Sequence, residues 1–158
     1  PPDYNIIRID RHNRIGGGIA CIHRSNIKVK QLQSNPLTSS EYLGLDILTE
    51  EKTQSKIHTF YHPPGNSALF TKQLMEKITT DSSPHNNEIF LGDFNLHWDE
   101  DKDIVVNTFK RFLAGSNLKL FCDDPELFWT GSLPKRTQLQ LNPLIPVTGL
   151  TITLSLST

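Results

Sequence analysis

Residues 91–98, LGDFNLHW, place three polar side chains directly after an apolar run. Asp93, Asn95 and His97 alternate with bulky apolar residues, so a continued strand would put all three on one face. A carboxylate at the carboxyl end of a buried strand lies where α/β sheets bind their ligands. There Asp93 could bind a divalent metal or hold a water molecule for attack. The same residues also fit a turn, since Gly-Asp and Asp-x-Asn are common turn formers.

Other side chains are candidates for contact with a phosphate group. Tyr61 ends an apolar segment just before two prolines, where its phenol could donate to a phosphoryl oxygen or simply pack in a strand. Asn95 could bond a phosphate oxygen or close an Asx turn, and His97 could contact phosphate or transfer a proton near neutral pH. Arg14 belongs to a basic group in the first thirty residues that could follow a phosphate backbone or form a solvated face.

The totals of the chain restrict the function classes. With 16 Lys and Arg against 17 Asp and Glu over 158 residues, the net charge is -1, so any attraction to nucleic acid must be local. No apolar run is long enough for a membrane span, and the first residues lack the layout of a secretion signal. Cys21 and Cys122 lie far apart without zinc spacing, which predicts two reduced core thiols. An apolar fraction of 36% is low enough to suggest a fragment.

Apolar periodicity predicts the elements that must position these residues. A glycine hairpin joins the first two strands, residues 41–51 form a half-buried strand, and another strand stops at Pro63-Pro64 with His62 exposed. The spacing of Phe70, Leu74 and Ile78 predicts a helix that Ser67 caps. Residues 88–95 are a buried strand, and 127–149 are irregular. A second helix is predicted to begin at its cap Asp103 and to end at Gly115, with Val105, Phe109 and Phe112 facing the core. Two more strands are predicted, over 117–121 and 150–157. This order indicates a layered α/β or α+β domain.

The order of the motifs is more informative than any motif alone. The segments RIGGGIACIHR, FYHPPGN, FLGDFNLHW and TITLSLS span nearly the whole chain. In this order they resemble the endonuclease/exonuclease/phosphatase family, with Gly-Asp-Phe-Asn as the most specific part. The triple glycine and the Tyr-x-Pro-Pro stretch narrow the resemblance to the apurinic-type endonuclease domain of non-LTR retrotransposons of the jockey-like kind.

The resemblance implies an α+β (α/β four-layer) sandwich of two packed mixed β-sheets flanked by helices, with the active site at one edge. It also implies Mg²⁺- or Mn²⁺-dependent hydrolysis of a phosphodiester, the nick in target DNA priming reverse transcription. By position, Asp93 resembles the aspartate that orients or deprotonates the attacking water, and it is the candidate metal ligand. Asn95 resembles its partner, and Tyr61 resembles the tyrosine that contacts the scissile phosphate. His97 and Arg14 are the candidate substrate contacts.

Departures from the family pattern predict weak activity. Residues 1–158 are expected to form a single domain that lacks its first strands and its last segment, including the family Glu that binds metal and the closing Ser-Asp-His. The Thr-Ile-Asp-Leu strand of the family appears with Thr153 in place of the Asp. Because a hard cation needs carboxylate oxygens, we expect an incomplete copy with little or no nuclease activity. Exposed sheet edges would also make it marginally stable.

Three functional hypotheses are open on the sequence. The first is an endonuclease-like domain of a retrotransposon polyprotein. The second is a non-catalytic nucleic-acid-binding or interaction remnant of the same fold, and the third is a phosphatase acting on a lipid or nucleotide, against which the glycine and proline motifs argue. The expected partners are DNA and a reverse transcriptase domain in the same polyprotein, with no membrane. The expected location is nuclear or cytoplasmic, without secretion.

Overall fold

The computed structural model describes most of the amino-terminal two thirds of the chain and short pieces of the remainder. The described residues are 3–11, 18–33, 37–48, 54–81, 87–96, 102–116, 118, 120–122, 138–141 and 150–154. Their strands are β1 Tyr4–Ile9, β2 Ile19–Arg24, β3 Lys28–Gln31, β4 Glu41–Leu48, β5 Gln54–Tyr61, β6 Asn87–Asp93, β7 Leu120–Cys122, β8 Gln138–Leu141 and β9 Leu150–Leu154. Their helices are α1 Ser67–Asp81 and α2 Ile104–Gly115.

The strands form two sheets. The larger sheet has the order β3-β4-β5-β6-β8-β7, and the smaller has the order β1-β2-β9. In the larger sheet β5 and β6 are parallel and are joined through α1, while β4 and β8 run antiparallel to them. The described pairs of the smaller sheet are antiparallel, so the predicted glycine hairpin between β1 and β2 is confirmed as a strand pairing.

The larger sheet has two buried faces. Its helix face packs on α1 and α2 through a mainly aromatic cluster, whose buried members include Tyr42, Phe60, Phe70, Phe90, Phe94 and Phe109. Its inter-sheet face packs on the smaller sheet through a mainly aliphatic cluster, whose buried members include Ile19, Cys21, Leu43, Leu45, Ile47 and Ile57. The predicted layered α+β sandwich with helices outside is therefore confirmed.

The prediction of a half-buried β4 is wrong. Leu43, Leu45 and Ile47 are buried on the inter-sheet face, but Tyr42 and Gly44 are also buried, on the helix face. The alternation of residue types suggests one wet face, yet α1 lies over that side. A strand in the middle layer of a sandwich is covered on both faces whatever its local pattern.

The helix α2 confirms the predicted cap but not the predicted face. The Asp103 carboxylate accepts hydrogen bonds from the backbone N–H of Val105 at 2.8 Å and of Val106 at 3.2 Å. The buried residues are Val106, Phe109 and Leu113, and not the predicted set with Val105 and Phe112. Three apolar residues in a row at the helix start allow more than one apolar stripe, so the packing partner selects which one is buried.

The carboxyl-terminal third contains a strand that the sequence did not suggest. Gln138–Leu141 forms β8 within the segment predicted to be irregular, and it lies between β6 and β7. The predicted final strand is confirmed as β9. Cys21 is a free buried thiol whose pKa burial raises to about 11, as expected for a core cysteine. No helix within the described ranges is long and apolar enough to cross a membrane.

Candidate active site

The candidate residues come together at one end of the larger sheet. In the strand register Glu41 lies opposite Tyr61, and Tyr61 lies beside Asp93. Residues paired in this way project to the same face of a sheet. That face is the inter-sheet face, because Leu43 and Leu45 continue the row from Glu41 along β4. The site therefore lies where the aliphatic core between the two sheets ends.

The close approach of β5 and β6 depends on Gly92. This residue lies opposite Phe60 and has a φ of 150°. A Cβ atom at position 92 would lie 1.9 Å from the carbonyl oxygen of Phe60, so any side chain would push the strands apart. The Gly-Asp pair of the motif thus has a physical basis, since glycine allows the strand contact that brings Asp93 beside Tyr61.

Asp93 ends its strand in a turn. Asn95 has a φ of 45°, in the left-handed region, and its backbone N–H donates to Asp93 Oδ1 at 3.2 Å. This is an Asx turn. The expectation that strand alternation continues from Asp93 to Asn95 is therefore wrong, and the turn that the sequence also allowed is present. His97 lies outside the described residues.

Asn95 fastens the turn to the neighbouring strand. Its side-chain Nδ2 donates to the backbone carbonyl of His62, and the backbone N–H of His62 donates to the carbonyl of Asp93 at 2.9 Å. These bonds hold the ends of β5 and β6 together beyond the last ladder pair. Asn95 is thus a structural bridge within the site, whatever else its amide contacts.

The prediction that His62 is exposed is wrong. The residue is 1% exposed, its Nδ1 lies 3.0 Å from the carbonyl oxygen of Ser39, and its ring stacks on Phe70 at 4.2 Å. Burial lowers the pKa of His62, against the opposing effect of the hydrogen bond to Ser39. The sequence places this histidine before two prolines, which suggested a loop. It is covered because α1 begins directly afterwards and brings Phe70 over it.

Tyr61 is held by a charged pair that the sequence did not single out. The guanidinium carbon of Arg11 lies 5.3 Å from the centroid of the Tyr61 ring. Arg11 Nε donates to Glu41 Oε1, and the backbone N–H of Gly18 donates to Glu41 Oε2. Glu41 had no sequence signal of its own, because its partners follow from the pairing of β4 with β5 and from the packing of the smaller sheet. Arg11 was visible only as one member of a basic group.

Thr153 and Arg14 are two further positions that the sequence singled out. Thr153 lies in β9 opposite Ala20, two residues along β2 from Gly18, so its backbone is at the same end of the sandwich as Glu41. Arg14 lies outside the described residues.

The described residues do not fit a complete divalent-metal site. They contain no group of three or more His, Cys, Asp or Glu side chains placed to hold a metal ion. Both carboxylate oxygens of Glu41 already accept hydrogen bonds, from Arg11 and from Gly18. A hard cation such as Mg²⁺ takes several oxygen ligands, of which Asp93 would supply one carboxylate.

Comparison with known proteins gives a fold. No family model matches the sequence, and no curated protein matches it. Among solved structures, the chain is similar to D. rerio TDP2 complexed with a single-strand DNA product, with 17% sequence identity and a TM-score of 0.52. The similarity covers 89% of this chain and 62% of that one, so the chain spans less than two thirds of the TDP2 structure. Its two packed sheets, its flanking helices and this likeness together give the chain an α+β sandwich fold.

Proposed function

We propose that the chain is an endonuclease-like domain of a non-LTR retrotransposon polyprotein, directed at the phosphodiester backbone of DNA. The observation that carries the proposal is the placement of Tyr61 beside Asp93 on parallel neighbouring strands, at the end of the face between the two sheets. On adjacent strands, the phenol can contact the phosphoryl oxygen while the carboxylate contacts the attacking water. The similarity to a solved structure of a protein complexed with a DNA product supports DNA as the substrate class.

In this proposal each residue has a distinct role. Asp93 orients the attacking water and accepts its proton, which a carboxylate within hydrogen-bond reach can do. Tyr61 donates its phenol hydrogen to a non-bridging oxygen of the scissile phosphate, where negative charge builds up in the transition state. Asn95 holds the turn that presents Asp93, through its bond to the His62 carbonyl.

The cofactor of the proposal is Mg²⁺ or Mn²⁺, and the nuclease activity is expected to be weak or absent. Asp93 is the described carboxylate that would hold the metal. The neighbouring Glu41 is engaged by Arg11 and Gly18, and Thr153 stands where the resembled family has an Asp. Since metal-assisted hydrolysis needs a fixed set of oxygen ligands, a partial set should bind the ion poorly.

The engagement of Glu41 favours a second candidate function. A chain with the fold and a local basic group, but without a full ligand set among its described residues, would act as a non-catalytic nucleic-acid-binding remnant. DNA is the proposed partner in both cases. A reverse transcriptase domain in the same polyprotein and a nuclear or cytoplasmic location belong to the proposal through the sequence resemblance.

Relaxation of supercoiled plasmid separates these candidates. The purified 158-residue chain, Asp93→Ala, Thr153→Asp and Thr153→Asn would be compared with Mg²⁺ and with Mn²⁺. We expect no measurable nicking by the wild-type chain, by Thr153→Asn or by Thr153→Asp alone. We expect nicking, which Asp93→Ala abolishes, when Thr153→Asp is combined with added terminal segments that carry the metal-binding Glu and the Ser-Asp-His of the resembled family. The asparagine variant is the control, since it has nearly the same shape without the charge.

The same samples distinguish binding from catalysis. If the wild-type chain binds an oligonucleotide and no variant nicks DNA, the non-catalytic candidate is favoured. A chain that neither nicks in any variant nor binds DNA would refute the proposed function. Wild-type nicking that Asp93→Ala removes would show that Thr153 is tolerated, and would refute the expected inactivity.

A further inference from the structure

The structure assigns a nucleic-acid contact to Arg11, which Glu41 positions over Tyr61. We propose that the guanidinium of Arg11 binds a backbone phosphate of the DNA strand at the end of the inter-sheet face, and that Glu41 is a positioning residue and not a metal ligand. The inference rests on the proposed function, because it names how that same site holds its substrate.

Glu41 binds the described residues on both sides of residues 12–17. Its Oε1 accepts from Arg11 and its Oε2 from the backbone N–H of Gly18. These two partners are the described residues on either side of residues 12–17. Glu41 therefore ties both ends of the segment between β1 and β2 to the first residue of β4. Gly18 has a φ of 106°, a conformation that suits glycine and that brings its N–H to the carboxylate.

The Arg11 guanidinium has donors beyond its bond to Glu41. The bond to Glu41 is made by Nε, and no described residue hydrogen-bonds to the two terminal nitrogens. The Arg11 side chain is 20% exposed, whereas Tyr61 and Asp93 are 7% and 1% exposed as whole residues. Arg11 is thus the more accessible group of the site, and a planar guanidinium with paired terminal N–H groups matches the geometry of a phosphate.

Tyr61 and Glu41 restrict the guanidinium from two sides. The ring of Tyr61 lies 5.3 Å from the guanidinium carbon, a cation–π distance, and the Glu41 carboxylate fixes Nε. An arginine held in this way loses less side-chain freedom when it binds a phosphate than a free surface arginine would. A phosphate bound to Arg11 would also lie next to the phenol that the proposed function assigns to the scissile phosphate.

The effect of Glu41→Gln on DNA affinity distinguishes two roles for Glu41. If Glu41 is only a negative charge near the DNA, Glu41→Gln should tighten binding, because it removes a repulsion. If Glu41 positions Arg11, the same variant should weaken binding although the protein becomes more positive. Asp10→Asn is the matched control, since Asp10 is an exposed acid paired with Arg8 at 3.3 Å and undergoes the same charge change.

The test measures affinity for a labelled single-stranded oligodeoxynucleotide as a function of salt, with the full 158-residue chain. We expect Arg11→Gln to weaken binding about tenfold, as loss of one charge-assisted phosphate contact should. The slope of log K against log salt should fall by about 0.7 for one phosphate contact with a single strand. Arg8→Gln, which removes an exposed arginine of β1, should change affinity less than about twofold, because exposed charges are screened. Glu41→Gln should weaken binding about threefold and Asp10→Asn should not weaken it.

Each outcome has a defined meaning. Thermal unfolding and circular dichroism of every variant identify those that fail to fold, and Arg11→Lys, which keeps the charge, is measured beside Arg11→Gln to separate charge from geometry. Equal effects of Arg11→Gln and Arg8→Gln, or tighter binding by Glu41→Gln, would overturn the inference while leaving the proposed function intact. Absence of wild-type binding, together with absence of nicking by every variant, would instead refute the proposed function itself.

Discussion

The two faces of the larger sheet use different side chains for different purposes. The helix face is aromatic, and its buried rings contact one another, with His58 stacked on Phe90 at 4.5 Å and Phe60 tilted against Phe94 at 6.0 Å. The inter-sheet face is mainly aliphatic along β4 and β5. Among its described side chains, the charged Glu41 and Asp93 stand at its end, beyond the last apolar residues. The same strands therefore supply a closed aromatic layer on one side and a polar end to an aliphatic layer on the other.

The difference shows where chemistry can occur in this sandwich. His58 is fully buried by α1 and bonds to Tyr42 through Nδ1 at 2.8 Å, so no ligand can reach it without moving the helix. Arg11, at the end of the inter-sheet face, keeps part of its side chain exposed. Solvent therefore reaches the polar end of the inter-sheet layer at Arg11, whereas the His58 ring beneath the helices is enclosed.

The largest expected effect on stability comes from a change in the backbone of β6, which carries residues of both faces of the larger sheet. Gly92→Ala would drive a Cβ into the Phe60 carbonyl, so it should disturb both faces at once and cost about 3 kcal/mol or more of unfolding free energy. Chemical denaturation measures this loss. Gly115→Ala is the control, because nothing lies within 4 Å of a Cβ at the end of α2, and it should be neutral or slightly stabilising. A well-folded Gly92→Ala with unchanged stability would contradict the close strand contact.

The next effect belongs to the helix face alone and depends on pH. Burial lowers the pKa of His58 to about 4, with nearby Asp81 opposing and Lys77 and Lys56 assisting the decrease. Between the unfolded pKa of about 6.5 and the folded pKa of about 4, His58 is protonated in the unfolded chain but not in the folded chain. The free energy of unfolding therefore falls as the pH falls from about 6.5 toward 4. Between pH 7 and pH 5 this one group should remove about 2 kcal/mol of unfolding free energy.

Replacing His58 checks the source of that pH dependence. His58→Gln keeps a polar group near Tyr42 but does not titrate, so its stability should vary less between pH 7 and pH 5 than that of the wild-type chain. Denaturant titrations at both pH values give the difference. An unchanged pH dependence would mean that His58 is not the group that takes up the proton. His62, whose pKa burial also lowers, would account for part of any remaining slope.

The smallest effect sharpens the separation of the two faces. Asp103→Ala removes the side-chain cap of α2 and should cost about 1 kcal/mol of stability, as loss of an N-cap does. Because α2 covers the helix face, affinity for an oligonucleotide should not change beyond this small loss of folded protein. Asp103→Asn, which keeps the capping oxygen, should restore stability. Weaker DNA binding by folded Asp103→Ala would show that the two faces are coupled.

Much of the fold could be predicted from local patterns. Alternation identified β1, β2, β4 and β9, periodicity identified α1, and a capping residue located the start of α2. These features depend on near neighbours in the chain, and so does the Asx turn at Asp93, which the sequence allowed beside the strand interpretation. The strand β8 was not predicted, because it is short and flanked by prolines and its pairing with β6 is not a local property.

The candidate site divides along the same line. The sequence by itself determined the candidate residues Asp93, Asn95 and Tyr61 and the presence of a glycine directly before Asp93. Only the tertiary structure decided that Tyr61 lies beside Asp93, that His62 is buried, and that Glu41 binds Arg11 across 30 residues of chain. Local sequence sets backbone conformation and the spacing of apolar residues, but the register between strands and the layer that covers each face arise from contacts between distant segments.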